Sequence, residues 1–211
     1  MIEEKQLLIQ KTARYFCSRE MKSSEKEIVI VLHGYGQSAY HFLRKFKAIS
    51  TDDRLVIAPE GLHRFYTQGF SGRVGASWMT KEARLSDIDD YVRFLDDLVH
   101  SLTMPDAKIV VIGFSQGAAT AVRWICQGKS RVHKLVAWAG SFPSDLDFPN
   151  DASALNKTDL DLVIGNQDEF IKSDHIKDMQ HLLEKQKIVA KTHHFEGGHD
   201  IHEETLITLF C

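Results

Sequence analysis

Cysteine is scarce in this chain, and the three present, Cys17, Cys126 and Cys211, stand far apart with no CxxC pair among them. An odd number at wide spacing favours neither a disulfide framework nor a thiolate metal site, and it fits a reducing compartment. No apolar run approaches the ~20 residues that a membrane span requires. The opening stretch, MIEEKQLLIQKTARYF, is broken up by charge. It lacks the apolar run of about 7–15 residues that marks a secretory signal. A cytoplasmic location is the expectation. No basic stripe stands out either: 26 lysines and arginines face 29 acids, for a net charge of −3. A nucleic-acid partner is therefore not expected. Repeats, low-complexity segments and linkers are missing too, so the 211 residues read as one domain, 1–211. A domain of that length buries about 70% of its unfolded surface and needs no cross-link or metal to stand.

What is present is a series of short apolar, β-branched runs. They are Glu27–His33, Arg54–Pro59, Lys108–Phe114, Lys134–Ala139, Leu160–Gly165 and Ile188–Phe195. Several are apolar almost without alternation, as in strands buried on both faces of a parallel sheet. Helical periodicity lies between them. Ser86 is placed to cap a helix carrying Ile88, Tyr91, Val92, Leu95, Leu98, Val99 and Leu102, with Asp89 at the box position and Pro105 at the far end. Ser38 and Ser173 suit two further caps, and Asp200 and Glu203 the start of a last helix. Alternating strands and helices predict an α/β domain with a mainly parallel central sheet flanked by helices. Sites in such sheets gather beyond the carboxyl ends of the strands.

Three strand ends carry three reactive residue types. Lys108–Phe114 runs into Gly113-Phe114-Ser115-Gln116-Gly117, a GxSxG pattern followed by a small-residue helix. GxSxG alone also describes a plain glycine-lined turn; the strand before and the helix after give it weight. A sharp turn there pushes the serine oxygen clear of the sheet, and the next amide sits at the positive end of a helix. The second end is Gly165-Asn166-Gln167-Asp168 and the third Gly197-Gly198-His199. A serine hydroxyl is a poor nucleophile at neutral pH, an imidazole can take its proton, and a carboxylate fixes the imidazole tautomer. Asp174 and Asp200 compete for the acid's role, the first inside a helix turn and the second a better cap. His193, His194, His199 and His202 cluster, but their spacing matches no zinc pattern, so no metal and no cofactor are expected.

After Glu27–His33 comes His33-Gly34-Tyr35-Gly36-Gln37. Glycines on both sides of Tyr35 would let its N–H join that of Gln116 in an oxyanion hole; the other reading is a glycine-rich turn with His33 packed beneath it.

HGYG, GFSQG, the acid in GNQD and GGHD together resemble the carboxylesterase and acyl-protein thioesterase branch of the α/β-hydrolases. The likeness runs from about Glu27 to the C-terminus. GFSQGAA is its most specific part. The resemblance implies the α/β-hydrolase fold, with Ser115 as nucleophile, Asp168 as acid, His199 as base, and Tyr35 and Gln116 as oxyanion amides. Gln37 stands where the family usually has aspartate, Tyr35 where it often has a small aliphatic residue, and Trp78-Met79-Thr80 where it often has an aromatic and an acid after the tryptophan. The stretch from Gly140 to Asp159 is too short for a substantial lid, so an open site is expected. The run Gly61–Thr80 has no clear periodicity. Its aromatics serve either as a mobile wall for an acyl group or as pins for a structural loop; Trp78, Phe70 and Tyr66 are the substrate-binding candidates, Trp78 on the resemblance alone.

The expected reaction is hydrolysis of a small-molecule ester or thioester, with an acylated protein or a lysophospholipid as further substrate classes. A lysophospholipase or peptidase on the same fold, or a non-catalytic ligand-binding module, are the alternatives. Oligomeric state is not legible in the sequence.

Overall fold

The computed structural model of the chain describes every residue except 103, 105, 144, 147–152, 172 and 211. Pro105, Cys211 and the side chain of Ser173 lie outside the described residues.

Seven strands form one sheet: β1 (Tyr15–Cys17), β2 (Glu27–Leu32), β3 (Arg54–Pro59), β6 (Lys108–Phe114), β7 (Lys134–Trp138), β8 (Asp159–Gly165) and β9 (Ala190–Phe195). Their order across the sheet is β1-β3-β2-β6-β7-β8-β9. All neighbours are parallel except β1, which runs against β3. The chain therefore leaves β2 in one direction to build β3 and later returns on the other side to build β6. That reversal puts a crevice beyond the carboxyl ends of β2 and β6.

The near-continuous apolar runs are explained by two faces that both need covering. Ile28, Ile30 and Leu32 of β2 point to one side and Val29 and Val31 to the other, and all five are fully buried. On the first side pack α2 (Arg84–Ser101), α3 (Gln116–Gln127) and α4 (Ser173–Lys185); on the second, α1 (Ala39–Leu43), a 3₁₀ turn (Arg44–Ile49) and α5 (Glu203–Phe210). Between β7 and β8, Phe142, Leu146 and Leu155 are buried in the first core, and among the described residues no large lid is evident. No described helix is long and apolar enough to cross a membrane.

Several expectations need correction. The run Gly61–Thr80 is not an irregular loop: β4 (His63–Gln68) and β5 (Ser71–Ser77) pair as an antiparallel hairpin. Its glycines at 69 and 72 take positive φ at the turn, and its buried residues are confined to the end of β5, Gly75 to Ser77, so no two-residue period shows in the sequence. Helix α2 starts at Arg84, behind Ala83 in a left-handed conformation, and Ser86 lies within its first turn, donating to Gln6 Oε1 at 2.8 Å. Ser38 does precede α1, but its side chain makes no cap bond. The cap of α5 falls to His202, whose Nδ1 is 2.9 Å from Thr205 Oγ1 and 3.4 Å from the Thr205 amide. Asp200 instead faces Lys45 at 2.7 Å.

Candidate active site

Strand β6 delivers Ser115 into a tight corner. The residue has φ 55° and ψ −116°, a conformation that a residue with Cβ rarely adopts, and helix α3 begins at the next position. The corner closes only because two glycines flank it. A Cβ on Gly113 would lie 2.4 Å from Gly117 O, and one on Gly117 would lie 2.1 Å from Leu32 O. Hydrogen bonds fix the corner on both sides: Ser115 N donates to Trp138 O at 2.9 Å, and Ala118 N donates to Ser115 O at 3.0 Å.

Asp168 leaves the end of β8 with a fully buried carboxylate. Its Oδ1 accepts the amides of Phe170 at 2.9 Å and Ile171 at 3.1 Å. Its Oδ2 lies 2.8 Å from His199 Nδ1. An ionised carboxylate only accepts, so the proton of a neutral His199 sits on Nδ1 and Nε2 keeps a free lone pair. The ring packs against two phenyl groups, Phe114 at a tilt 4.9 Å away and Phe170 in a T-shaped contact at 4.7 Å. Phe114 is the residue immediately before Ser115, so the strand that delivers the serine also carries a ring that packs on the imidazole. The rival acids are elsewhere: Asp174 is 85% exposed beside Lys177, and Asp200 is paired with Lys45.

The turn after β2 is held by Gln37, whose Oε1 accepts Gly34 N at 2.8 Å while its amide donates back to Gly34 O at 3.2 Å. An amide thus does here what a carboxylate acceptor would do. Gly36 N donates to Ala76 O, and Ala76 N to Gln37 O, both at 2.9 Å, which ties the turn to β5. Among the described residues, neither Tyr35 N nor Gln116 N donates to a protein acceptor. Both are left for something else. Beneath the turn, His33 is completely buried and bonded at both ring nitrogens: Nδ1 to Gly34 O at 2.8 Å, and Nε2 accepting Gly61 N at 2.9 Å. That pattern requires the neutral ring, and burial accordingly pushes the His33 pKa down.

Trp78 does not face the site, contrary to expectation. It is fully buried, its Nε1 donates to His33 O at 2.9 Å, and its ring packs against His33 and Tyr91. An indole carries a large apolar area and one donor, and the slot between the sheet and α2 supplies both an apolar lining and a carbonyl. Tyr66 is half-exposed on β4 and Phe70 is fully exposed at the hairpin tip; neither ring touches His199. Two other aromatics lie against the candidate residues: Phe170, which the sequence analysis did not name, and Phe65, one of the aromatics of the run Gly61–Thr80. Phe170 meets His199 in a T-shaped contact, and Phe65 packs at a tilt against Tyr35 at 5.3 Å. The signal for Phe170 was its place two residues past Asp168. Of the other clustered histidines, His193 pairs with Asp161 at 3.0 Å and His194 is exposed. Among the described residues no three His, Cys, Asp or Glu side chains gather in a way that could hold a metal.

The sequence pattern of the Phospholipase/Carboxylesterase family matches residues 16–209. The chain belongs to that family. Among curated protein sequences none matches it. Solved structures do. The esterase PE8 superposes with a TM-score of 0.73 at 22% identity, covering 95% of this chain and 97% of its own. The acyl-protein thioesterase 2 of Zea mays gives 0.72 at 19%, with 94% and 96% covered. A Bacillus cereus carboxylesterase gives 0.69 at 17%, with 94% and 92% covered. At such identities the likeness speaks for the fold. This phospholipase/carboxylesterase family member therefore has the α/β-hydrolase fold, an open, mainly parallel sheet flanked by helices.

Proposed function

We propose that the chain is a serine hydrolase that cleaves carboxylic ester or thioester bonds through an acyl-enzyme on Ser115. The observation that carries this reading is the 2.8 Å contact from His199 Nδ1 to the buried carboxylate of Asp168, with the imidazole packed on the residue before a strained serine. His199 Nε2 takes the proton of Ser115 Oγ as that oxygen attacks the acyl carbon. The carbonyl oxygen becomes an oxyanion and accepts the N–H groups of Tyr35 and Gln116. As the tetrahedral carbon collapses, the proton passes from Nε2 to the departing alcohol or thiol. Water then repeats the sequence on the acyl-serine and releases the acid. Asp168 stays ionised throughout, holding the ring and stabilising its charged form.

The residues flanking this machinery favour an apolar acyl group. Tyr35 and Phe170 are both largely exposed, and the hairpin behind Tyr35 adds Tyr66 and Phe70. The absence of an evident large lid suits a bulky alcohol, thiol or acylated partner.

A fluorophosphonate probe tests the reading. Folded wild-type protein should be labelled, Ser115→Ala should not, and p-nitrophenyl esters of graded chain length, run beside acyl-CoA and lysophospholipid, should be turned over only by the former. Equal labelling of the two proteins would remove Ser115 as the nucleophile. Absent labelling with absent turnover would leave a ligand-binding module, and labelling without turnover of any ester or thioester would leave a peptidase.

A further inference from the structure

The side chain of Gln116 makes a set of hydrogen bonds that the mechanism above does not use. Its Nε2 donates to Met79 O at 3.0 Å and to Ser77 Oγ at 3.1 Å; its Oε1 accepts Trp78 N at 3.2 Å. Ser77 Oγ also lies 3.3 Å from Gln116 Oε1 and 2.7 Å from Met79 O. A hydroxyl has one proton, and the shorter contact takes it, so Ser77 donates to Met79 O and accepts from Gln116. The carboxamide orientation is then decided by chemistry. Turned over, its NH₂ would meet the Trp78 N–H and its oxygen would meet Met79 O, two contacts between like groups. Only a group that accepts on one side and donates on the other fits this slot.

The segment it grips reaches the other half of the site. Trp78 Nε1 donates to His33 O, and Ala76 exchanges two backbone bonds with the turn Gly36–Gln37. Residues 76–79 therefore bridge the start of α3 and the turn carrying Tyr35. We infer that the Gln116 side chain is a positioning residue which, through Trp78, sets the separation between the Tyr35 and Gln116 amides. The inference rests on the proposed oxyanion role of those amides. Gln116 acts twice: its backbone N–H meets the oxyanion, and its side chain holds the partner amide in register. Oxyanion donors act over a few tenths of an ångström, so loosening the bridge weakens the transition state while leaving ground-state binding intact.

Gln116→Met keeps the length of the side chain and every backbone amide while removing all three bonds. The expected result is a fall in kcat of about tenfold to about 100-fold with KM within about twofold. Affinity for an alkyl trifluoromethyl ketone, which forms a tetrahedral oxyanion adduct, should fall by the same factor as kcat. Gln116→Glu should fall similarly, since a carboxylate cannot donate to Met79 O. A merely structural role would lower the unfolding midpoint without this parallel. Unchanged kcat, or a fall in kcat with unchanged ketone affinity, overturns the inference. Should the Gln116 variants fail to fold, Trp78→Phe removes the indole donor and keeps an aromatic ring; the same parallel loss supports the bridge, and wild-type kcat there overturns it. Failure of the hydrolase reading itself would appear in the wild-type protein, as absent labelling and absent turnover.

Discussion

At the amino ends of the strands, Glu27 stands in register with Arg54 on one side and Lys108 on the other, and pairs with Arg54. Arg19 meets the buried Glu25 at 2.6 Å, Lys26 meets Asp53 at 2.9 Å, and Asp161 takes both Lys134 at 2.8 Å and His193 at 3.0 Å. At the carboxyl ends the material changes to glycine turns, a strained serine, a buried carboxylate and amides without protein acceptors. Charges at the first end are compensated by one another. Dipoles and lone pairs at the second end are left uncompensated, which is what a site for developing charge needs. If this division is real, substitutions at one end should move activity and at the other stability.

The largest separation is expected within one pair of histidines. His199→Ala should lower kcat by about 10⁴-fold to 10⁶-fold with little change in the unfolding midpoint. His202→Ala should leave kcat within about twofold and cost about 1 kcal/mol of stability, because its role is to cap α5. Steady-state kinetics beside urea unfolding reads both. Reversed effects would move the base to position 202.

Gly117→Ala breaks the division deliberately. The added methyl would sit 2.1 Å from Leu32 O, a backbone atom of the central strand. Neither α3 nor β2 can yield cheaply, so stability should fall by about 3 kcal/mol, and the displaced corner should take kcat down about 100-fold. A variant with normal stability and normal kcat would show that the corner is softer than its geometry.

The two ends should also titrate in different windows. Burial alone would push the Glu25 carboxyl up, but the Lys22 amide and the Arg19 guanidinium outweigh it and hold the pKa at about 2. A depressed carboxylate stabilises above its unfolded pKa and loses that contribution as pH falls towards the folded value. Stability of on the order of 2 kcal/mol should therefore disappear between about pH 5 and pH 2, and Glu25→Gln should flatten that slope without touching kcat at neutral pH. His33 carries the opposite kind of group. Burial lowers its pKa, so below about pH 6.5 the unfolded chain takes up a proton that the folded chain refuses, and stability declines as pH falls. The slope above pH 5 should persist in Glu25→Gln and vanish in a variant lacking His33.

How much of this was legible follows from what each residue depends on. The central strands β2, β3, β6, β7 and β8 were visible because burial on both faces removes the alternation, whereas β1, three half-exposed residues at the edge, was not; Ser115, Asp168 and His199 were visible because each follows closely on an apolar run. The hairpin 63–77 was not, since its strands stand apart from the main sheet and carry few buried residues. Trp78 misled because its type suits a substrate wall and a core slot equally; only the carbonyl of His33, 45 positions away in sequence, decides between them. The bridge made by Gln116 was hidden for the same reason, as it joins segments distant in sequence.

Asp200 gives the smallest expected effect and the sharpest test of the acid. It is next to His199, the proposed base, in sequence, and a carboxylate there would be the natural suspect. Its side chain is 63% exposed, though, and turned towards Lys45. An exposed ion pair contributes about 0.5 kcal/mol or less, because water already solvates both charges. Asp200→Ala should therefore leave kcat within about twofold and shift urea unfolding barely at all, with the small shift itself vanishing at high salt. Asp168→Asn keeps the shape of the proposed acid but removes its charge and presents a donor to Nδ1, turning the imidazole towards the wrong tautomer; kcat there should fall by about 10⁴-fold. Comparable losses in the two variants would mean that the charge near His199, rather than the oriented contact to Nδ1, sustains the base.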